Sequence, residues 1–151
     1  QFTKICIKNT FALYESKKLI GDFLRISYVE NPGIAFGIRV GNLSILITTI
    51  SLGIAIYIGY YLYSNRNTPN LEKIGLSFIL GGAIGNLIDR ILVLIPNSTY
   101  NGVIDFIDVG FNDHRWYIFN IADSAVTVGI TLYLIHSIFF DRKVKDLIKH
   151  D

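Results

Sequence analysis

Residues 74–95 read IGLSFILGGAIGNLIDRILVLI. A helix of this length crosses the roughly 30 Å hydrocarbon core of a bilayer at about 1.5 Å per residue. Only Asn86, Asp89 and Arg90 interrupt the apolar run. Their i, i+3, i+4 spacing puts all three on one helical face. Ionisable side chains inside a membrane span are costly and usually mark a functional site.

Working outward, residues 43–63 (LSILITTISLGIAIYIGYYLY) form an uncharged span, and residues 117–140 form another, with Asn120 and Asp123 near its start. Residues 1–13 are apolar and aromatic around Lys4, Lys8 and Asn9, and too short to cross alone. They are expected to be what remains of a longer first span. The expected fold is mainly α: four transmembrane helices, the first truncated, in one integral-membrane domain covering residues 1–151. Composition agrees. Hydrophobic residues make up 51% and charged residues 17%, against about 25% charged in soluble domains, and mean hydropathy is +0.43. The formal net charge of +2 argues against nucleic-acid binding. The single cysteine, Cys6, and three scattered histidines leave no thiolate cluster and no paired-histidine zinc motif. No metal or cofactor is expected.

Arg142, Lys143, Lys145 and Lys149 follow the last span directly, which reads as a cytoplasmic tail at 141–151. Lys17, Lys18, Arg25 and Arg39 run against this orientation but are less dense. Residues 14–42 and 96–116 then lie on the outer side. Phe23 to Val29 alternates, and residues 102–109 (GVIDFIDV) read as a second strand. In that strand Asp105 shares a face with Val103 and Ile107, while Asp108 faces the other way. Asn31-Pro32-Gly33 signals a turn. A small sheet on the outer membrane surface follows.

Topology thus brings Asp89, Asp105 and Asp123 to one membrane–water interface. The bland reading of Asp89 and Arg90 is a structural ion pair, with Arg90 free to reach a carboxylate on another helix. Asn86 and Asn120 read equally as interhelical hydrogen-bond donors, and Gly81, Gly82 and Gly85 as a close-packing motif. Two functional readings survive. Either two carboxylates form an acid–base pair for hydrolysis, or they bind a proton or cation in a small carrier. A carrier is expected to place its charges near the midplane within repeats or broken helices. These cluster at one end, which favours an enzyme.

Five blocks resemble the lipoprotein signal peptidase (signal peptidase II) family of membrane aspartyl proteases. Gln1, Thr3 and Lys4 resemble the end of a D-Q-x-T-K motif. Residues 31–37 (NPGIAFG) resemble N-x-G-A-A-F, and residues 81–90 (GGAIGNLIDR) resemble G-G-A-x-G-N-x-x-D-R. Residues 103–106 (VIDF) resemble V-x-D-F, and residues 119–124 (FNIADS) resemble F-N-x-A-D-S/T. The resemblance covers essentially the whole chain. It implies four membrane helices with a small extracytoplasmic sheet and short helix, in the bacterial cytoplasmic membrane. The implied reaction removes the signal peptide from a diacylglyceryl-modified prolipoprotein, cutting just before the lipidated cysteine. By position, the catalytic pair is Asp105 and Asp123. Lys4, Asn31, Gly33, Asn86, Asp89, Arg90, Asn120 and Ala122 fall at supporting or substrate-binding positions. Membrane lipid and a diacylated substrate are the expected partners, and the enzyme is expected to be a monomer. Gly33, Gly37 and Gly41 flank apolar residues, so residues 33–42 are expected to act as a lid.

Overall fold

The computed structural model describes residues 1–33, 44–67 and 70–148. Four helices run through them: α1 (Phe2–Thr10), α2 (Ser44–Ser64), α3 (Leu71–Leu94) and α4 (Ile121–Ile148). Three contain stretches long and apolar enough to cross a membrane: Ser44–Ser64, Leu71–Leu94 and Ile121–Phe139. Their apolar side chains are largely outward-facing, with Ile45, Leu46, Ile56 and Leu134 all at least half exposed. In water that surface is unfavourable; in lipid it is the expected one.

Local chemistry sets the helix ends. Thr48 and Thr49 return their hydroxyls to the carbonyls of Ser44 and Ile45. Asn70 caps α3 by accepting from the Lys73 N–H at 2.9 Å. The Tyr61 hydroxyl at the end of α2 donates to Glu72 at the start of α3. At the other end Ile95 is extended, as expected of a residue before Pro96.

The four strands pair antiparallel in chain order: β1 (Ser16–Ile20), β2 (Leu24–Asn31), β3 (Val103–Phe111) and β4 (His114–Arg115). The β2–β3 register sets Val29 opposite Asp105 and Asn31 opposite Val103. Tyr28, Ile104 and Phe106 form a buried cluster, with Ile7 and Phe11 packed on it from α1 and just beyond. The sheet is thus fixed to α1 at the end of the bundle where α3 finishes and α4 begins.

The two expected strands are present, each slightly longer than predicted. The fourth helix starts at Ile121 rather than at 117. Phe119 is held in extended form beside β3, its carbonyl accepting from Ile107 and its N–H donating back to the Ile107 carbonyl. Trp116 likewise donates its N–H to the Val109 carbonyl. The helix also continues through Ile148, past the expected start of the tail at 141. The expected lid and short outer helix fall, apart from Gly33, outside the described residues.

α3 and α4 approach most closely where glycines remove side chains. A Cβ on Gly75 would lie 2.8 Å from the Gly129 carbonyl oxygen, and one on Gly129 2.5 Å from that of Gly75. A Cβ on Gly82 would collide with the Ala122 carbonyl and Val126, and one on Gly85 would press on the Ala122 methyl. The glycine motif is therefore a helix-packing device. It draws the start of α4, with Asp123, against the part of α3 that carries Asn86.

Candidate active site

α1, α3, β2, β3 and the start of α4 each bring a polar side chain to one place. The deepest pair is Lys4 of α1 and Asp89 of α3, 2.6 Å apart, with side chains 3% and 0% exposed. Asp89 Oδ2 also accepts the Ile104 N–H at 3.0 Å, so the carboxylate fixes the backbone one residue before Asp105. Asp89 Oδ1 receives the Gln1 amide at 3.1 Å. A buried charge satisfied this fully is a structural anchor. The cation beside Asp89 is Lys4 and not its neighbour Arg90. Consecutive helical residues point about 100° apart, which turns Arg90 away. The expected pairing of Arg90 with a carboxylate on another helix is not made: among the described residues Arg90 has no ion pair within 4.0 Å. Its side chain instead lines two adjoining cavities, of about 360 and 690 Å³.

Three asparagines share one logic. Each amide oxygen is held by a donor, which turns the NH₂ group toward a carboxylate. Asn86 Oδ1 accepts from Lys4 Nζ at 2.9 Å and from Asn120 Nδ2 at 3.1 Å, so Asn86 Nδ2 points to Asp123 Oδ1 at 2.7 Å. Asn120 Oδ1 accepts the Ala122 and Asp123 N–H groups at 2.7 and 3.1 Å, and its Nδ2 donates to Asp105 Oδ1 at 2.6 Å. Asn31 Oδ1 accepts the Gly33 N–H at 3.0 Å, and its Nδ2 reaches Asp105 Oδ2 at 3.3 Å.

Asn120 also opens α4. Its side chain bonds the N–H groups of the first turn, while Asp123 Oδ2 accepts the Asn120 N–H at 3.0 Å, the reciprocal pattern of a capping box. Asp123 therefore sits at a helix N-terminus, where backbone dipoles favour negative charge. Asp105 is only 3% exposed. Its carboxyl is pushed up to about 6, first by burial and then by the charge of Asp123, against the opposing hydrogen bonds from Asn120 and Asn31. Both aspartates line the larger cavity, with Asn31, Asn86, Arg90 and Trp116 around them. Asp108, on the other face of β3, is occupied by Arg115 at 2.7 Å and Ser27 at 3.0 Å.

All ten residues expected at the site are accounted for. Lys4, Asn31, Asn86, Asp89, Asp105, Asn120 and Asp123 form one connected network; Gly33 and Ala122 act through their N–H groups; Arg90 lines the cavities without a bond to the network. Sequence reasoning missed Gln1 as a ligand of Asp89, and also Lys8, Glu30 and Asn101. The spacing of Gln1, Lys4 and Lys8 at i, i+3 and i+7 on α1 was the available signal.

Similarity to known proteins shows the family. The family described as "Signal peptidase (SPase) II" matches residues 1–139. The chain is 38% identical over 149 residues to the lipoprotein signal peptidase of Syntrophus aciditrophicus, covering 96% of this chain and 88% of that one. It is 41% identical over 153 residues to that of Chlorobium phaeobacteroides, covering 94% and 91%. A bacterial membrane enzyme structure determined by the in meso method at 2.3 Å resolution superposes with a TM-score of 0.76 at 32% identity, covering 91% of this chain and 79% of that one. A second, at 1.9 Å, gives 0.74 at 33%, covering 93% and 85%. Three helices with membrane-length apolar faces, a small sheet at one end and this match along nearly the whole chain identify a membrane protein of the signal peptidase II family.

Proposed function

We propose that this enzyme cleaves diacylglyceryl-modified prolipoproteins just before the lipidated cysteine, using Asp105 and Asp123 as an aspartate dyad. The observation that carries this reading is the aiming of three asparagine amides at these two carboxylates on one cavity wall.

Two interacting carboxyls share one proton over a range of pH. Asp105, buried and raised, holds it, which leaves Asp123 the part of the base. Asp123 takes a proton from water as that water attacks the scissile carbonyl carbon. Asp105 gives its proton to the carbonyl oxygen, producing a neutral tetrahedral diol. On collapse Asp105 recovers a proton from one hydroxyl, and Asp123 passes its own to the departing cysteine nitrogen. The products are the signal peptide's carboxylic acid, which gives its proton to the freed amine or to water, and the amino terminus of the lipidated cysteine. Asn31, Asn86 and Asn120 keep the carboxyls oriented, Lys4 and Asp89 brace them, and Arg90 faces the substrate from the cavity wall.

The basic run after the last span supports a cytoplasmic C-terminus, with the site at the extracytoplasmic face of the bacterial cytoplasmic membrane. The substrate's acyl chains then stay in lipid while the peptide reaches the interfacial cavity. The enzyme acts as a monomer, because one chain supplies both aspartates.

The test is cleavage of a diacylated peptide by wild type, Asp105→Asn and Asp123→Asn, each checked for folding in detergent. Loss of cleavage in both folded variants is expected. Full activity in either removes that residue from the dyad. Proton flux in liposomes without peptidase activity would replace the enzyme reading with the carrier.

A further inference from the structure

Beside the site lies a second polar cluster that the mechanism does not use. The Glu30 side chain is 4% exposed and takes four donors: Lys8 Nζ at 2.6 Å, the Tyr28 hydroxyl at 2.5 Å, the Asn101 N–H at 2.8 Å and Asn101 Nδ2 at 3.0 Å. Lys8 also donates to the Thr99 carbonyl at 2.8 Å and sits 4.3 Å from the Tyr100 ring centre. One carboxylate thus ties α1, β2 and the loop that enters β3. The next residues in both segments touch. Gly102 lies so close to the Asn31 backbone that any Cβ there would overlap it. Asn31 is the residue whose amide reaches Asp105.

That amide contact is 3.3 Å, longer than the 2.6 Å bond from Asn120. Being long, it is the bond most easily lost when β2 shifts. We infer that Glu30 is a positioning residue: clamped by Lys8 and Asn101, it holds Asn31 against Gly102 so that the Asn31 amide stays on Asp105. This rests on the reading of Asp105 as half of the dyad.

A merely structural Glu30 and a positioning Glu30 differ in what they do to Asp105. The groups facing Asp105 are Asp123 from α4, Lys4 from α1 and Arg90 from α3; those facing Glu30 are Lys8 and Tyr28. Glu30→Gln leaves the first set in place. It replaces one of two acceptor oxygens with a donor, so one arm of the clamp opens. Losing the Asn31 bond removes support from the ionised form of Asp105, so its titration moves to higher pH.

The experiment compares wild type, Glu30→Gln, Asn31→Ala and the double variant in the full chain in detergent. Infrared difference titration follows the Asp105 carboxyl, identified by its absence in Asp105→Asn, and needs no turnover. Cleavage of a diacylated peptide is measured across pH alongside it. Glu30→Gln is expected to move the Asp105 titration upward, as Asn31→Ala does, with no further movement in the double variant. The alkaline limb of the kcat profile should move to higher pH with it, while the plateau value of kcat should fall about tenfold because the Asp105 carboxyl is no longer held in orientation. An unmoved titration with lowered thermal stability overturns the proposal, as does a shift that persists undiminished in the Asn31→Ala background. If Glu30→Gln does not fold, Asn101→Ala removes one donor arm and takes the same two readings. A shifted titration in an enzyme that cleaves nothing would instead count against the peptidase reading and leave the clamp standing.

Discussion

Lys4 Nζ lies 2.6 Å from Asp89 Oδ2, with both side chains withdrawn from solvent. The pair joins α1 to α3, and its two members reach the site by separate routes. Asp89 holds the Ile104 N–H next to Asp105, and Lys4 holds the Asn86 oxygen so that the Asn86 amide faces Asp123. One ion pair therefore braces both carboxylates of the proposed dyad.

Lys4→Met should destabilise strongly, by about 3–5 kcal/mol, because it leaves Asp89 buried without its cation. Thermal unfolding in detergent measures this. Adding Asp89→Leu should restore much of the stability by removing the stranded charge. It should not restore cleavage, since Asn86 has lost one of the two donors that orient it and the Ile104 N–H beside Asp105 has lost its acceptor. Recovery of both together would make the pair a stability device with no bearing on the site.

Asp105 gives a prediction with a definite sign. Its folded value of about 6 stands above the ordinary 3.8, so the folded state binds this proton more tightly than the unfolded chain. The resulting stability is fully present below about pH 3.8 and is lost as pH rises through about 6. Asp105→Asn removes that dependence along with activity. The variant's melting temperature relative to wild type should therefore climb between pH 4 and 7, with a gain on the order of 2 kcal/mol at neutral pH. A difference that stays flat over this range would mean that Asp105 is not strained by burial.

The spans were legible because apolar runs of membrane length have few alternatives, and the Asp105 and Asp108 faces were legible because a strand alternates. Two things were not. Residues 117–119 read as helix by hydropathy, yet Phe119 pairs with Ile107, a long-range contact that no local pattern records. The partner of Asp89 was also hidden. Arg90 is adjacent in sequence, whereas Lys4 comes from a different helix that sequence spacing alone does not place beside α3. The motif resemblance did list Lys4, but only the folded chain shows which bond it makes.

Gly82 sets the separation of α3 and α4 beside the proposed dyad. Gly82→Ala places a methyl into the Ala122 carbonyl and Val126, and overpacking of this kind costs about 1–3 kcal/mol. The helices must separate to admit it, which lengthens the 2.7 Å bond from Asn86 to Asp123. Activity should fall further than at Gly81, where an added Cβ meets nothing within 4 Å. Melting curves and turnover of Gly81→Ala and Gly82→Ala, measured together, separate a packing effect from a general loss of helix flexibility.

Arg90 differs from every other charge at the site. Lys4 and Asp89 are paired with each other, and Asp105 and Asp123 are held by asparagines, whereas Arg90 lies on the wall shared by both cavities with no ion pair among the described residues. A partly buried guanidinium with no carboxylate in contact, drawn to Asp123, Asp105 and Asp89 only through space, adds little to the resting fold against the cost of its burial. Five fixed donors facing a cavity are suited to peptide carbonyls or ester oxygens of an incoming substrate. Arg90→Gln should therefore leave the melting temperature unchanged or slightly higher, while raising KM for a diacylated peptide about tenfold with a smaller effect on kcat. Arg90→Lys keeps the charge but loses the planar fork, and it should fall between the two. A large drop in stability with KM intact would show that Arg90 holds the helices together and that the substrate is gripped elsewhere.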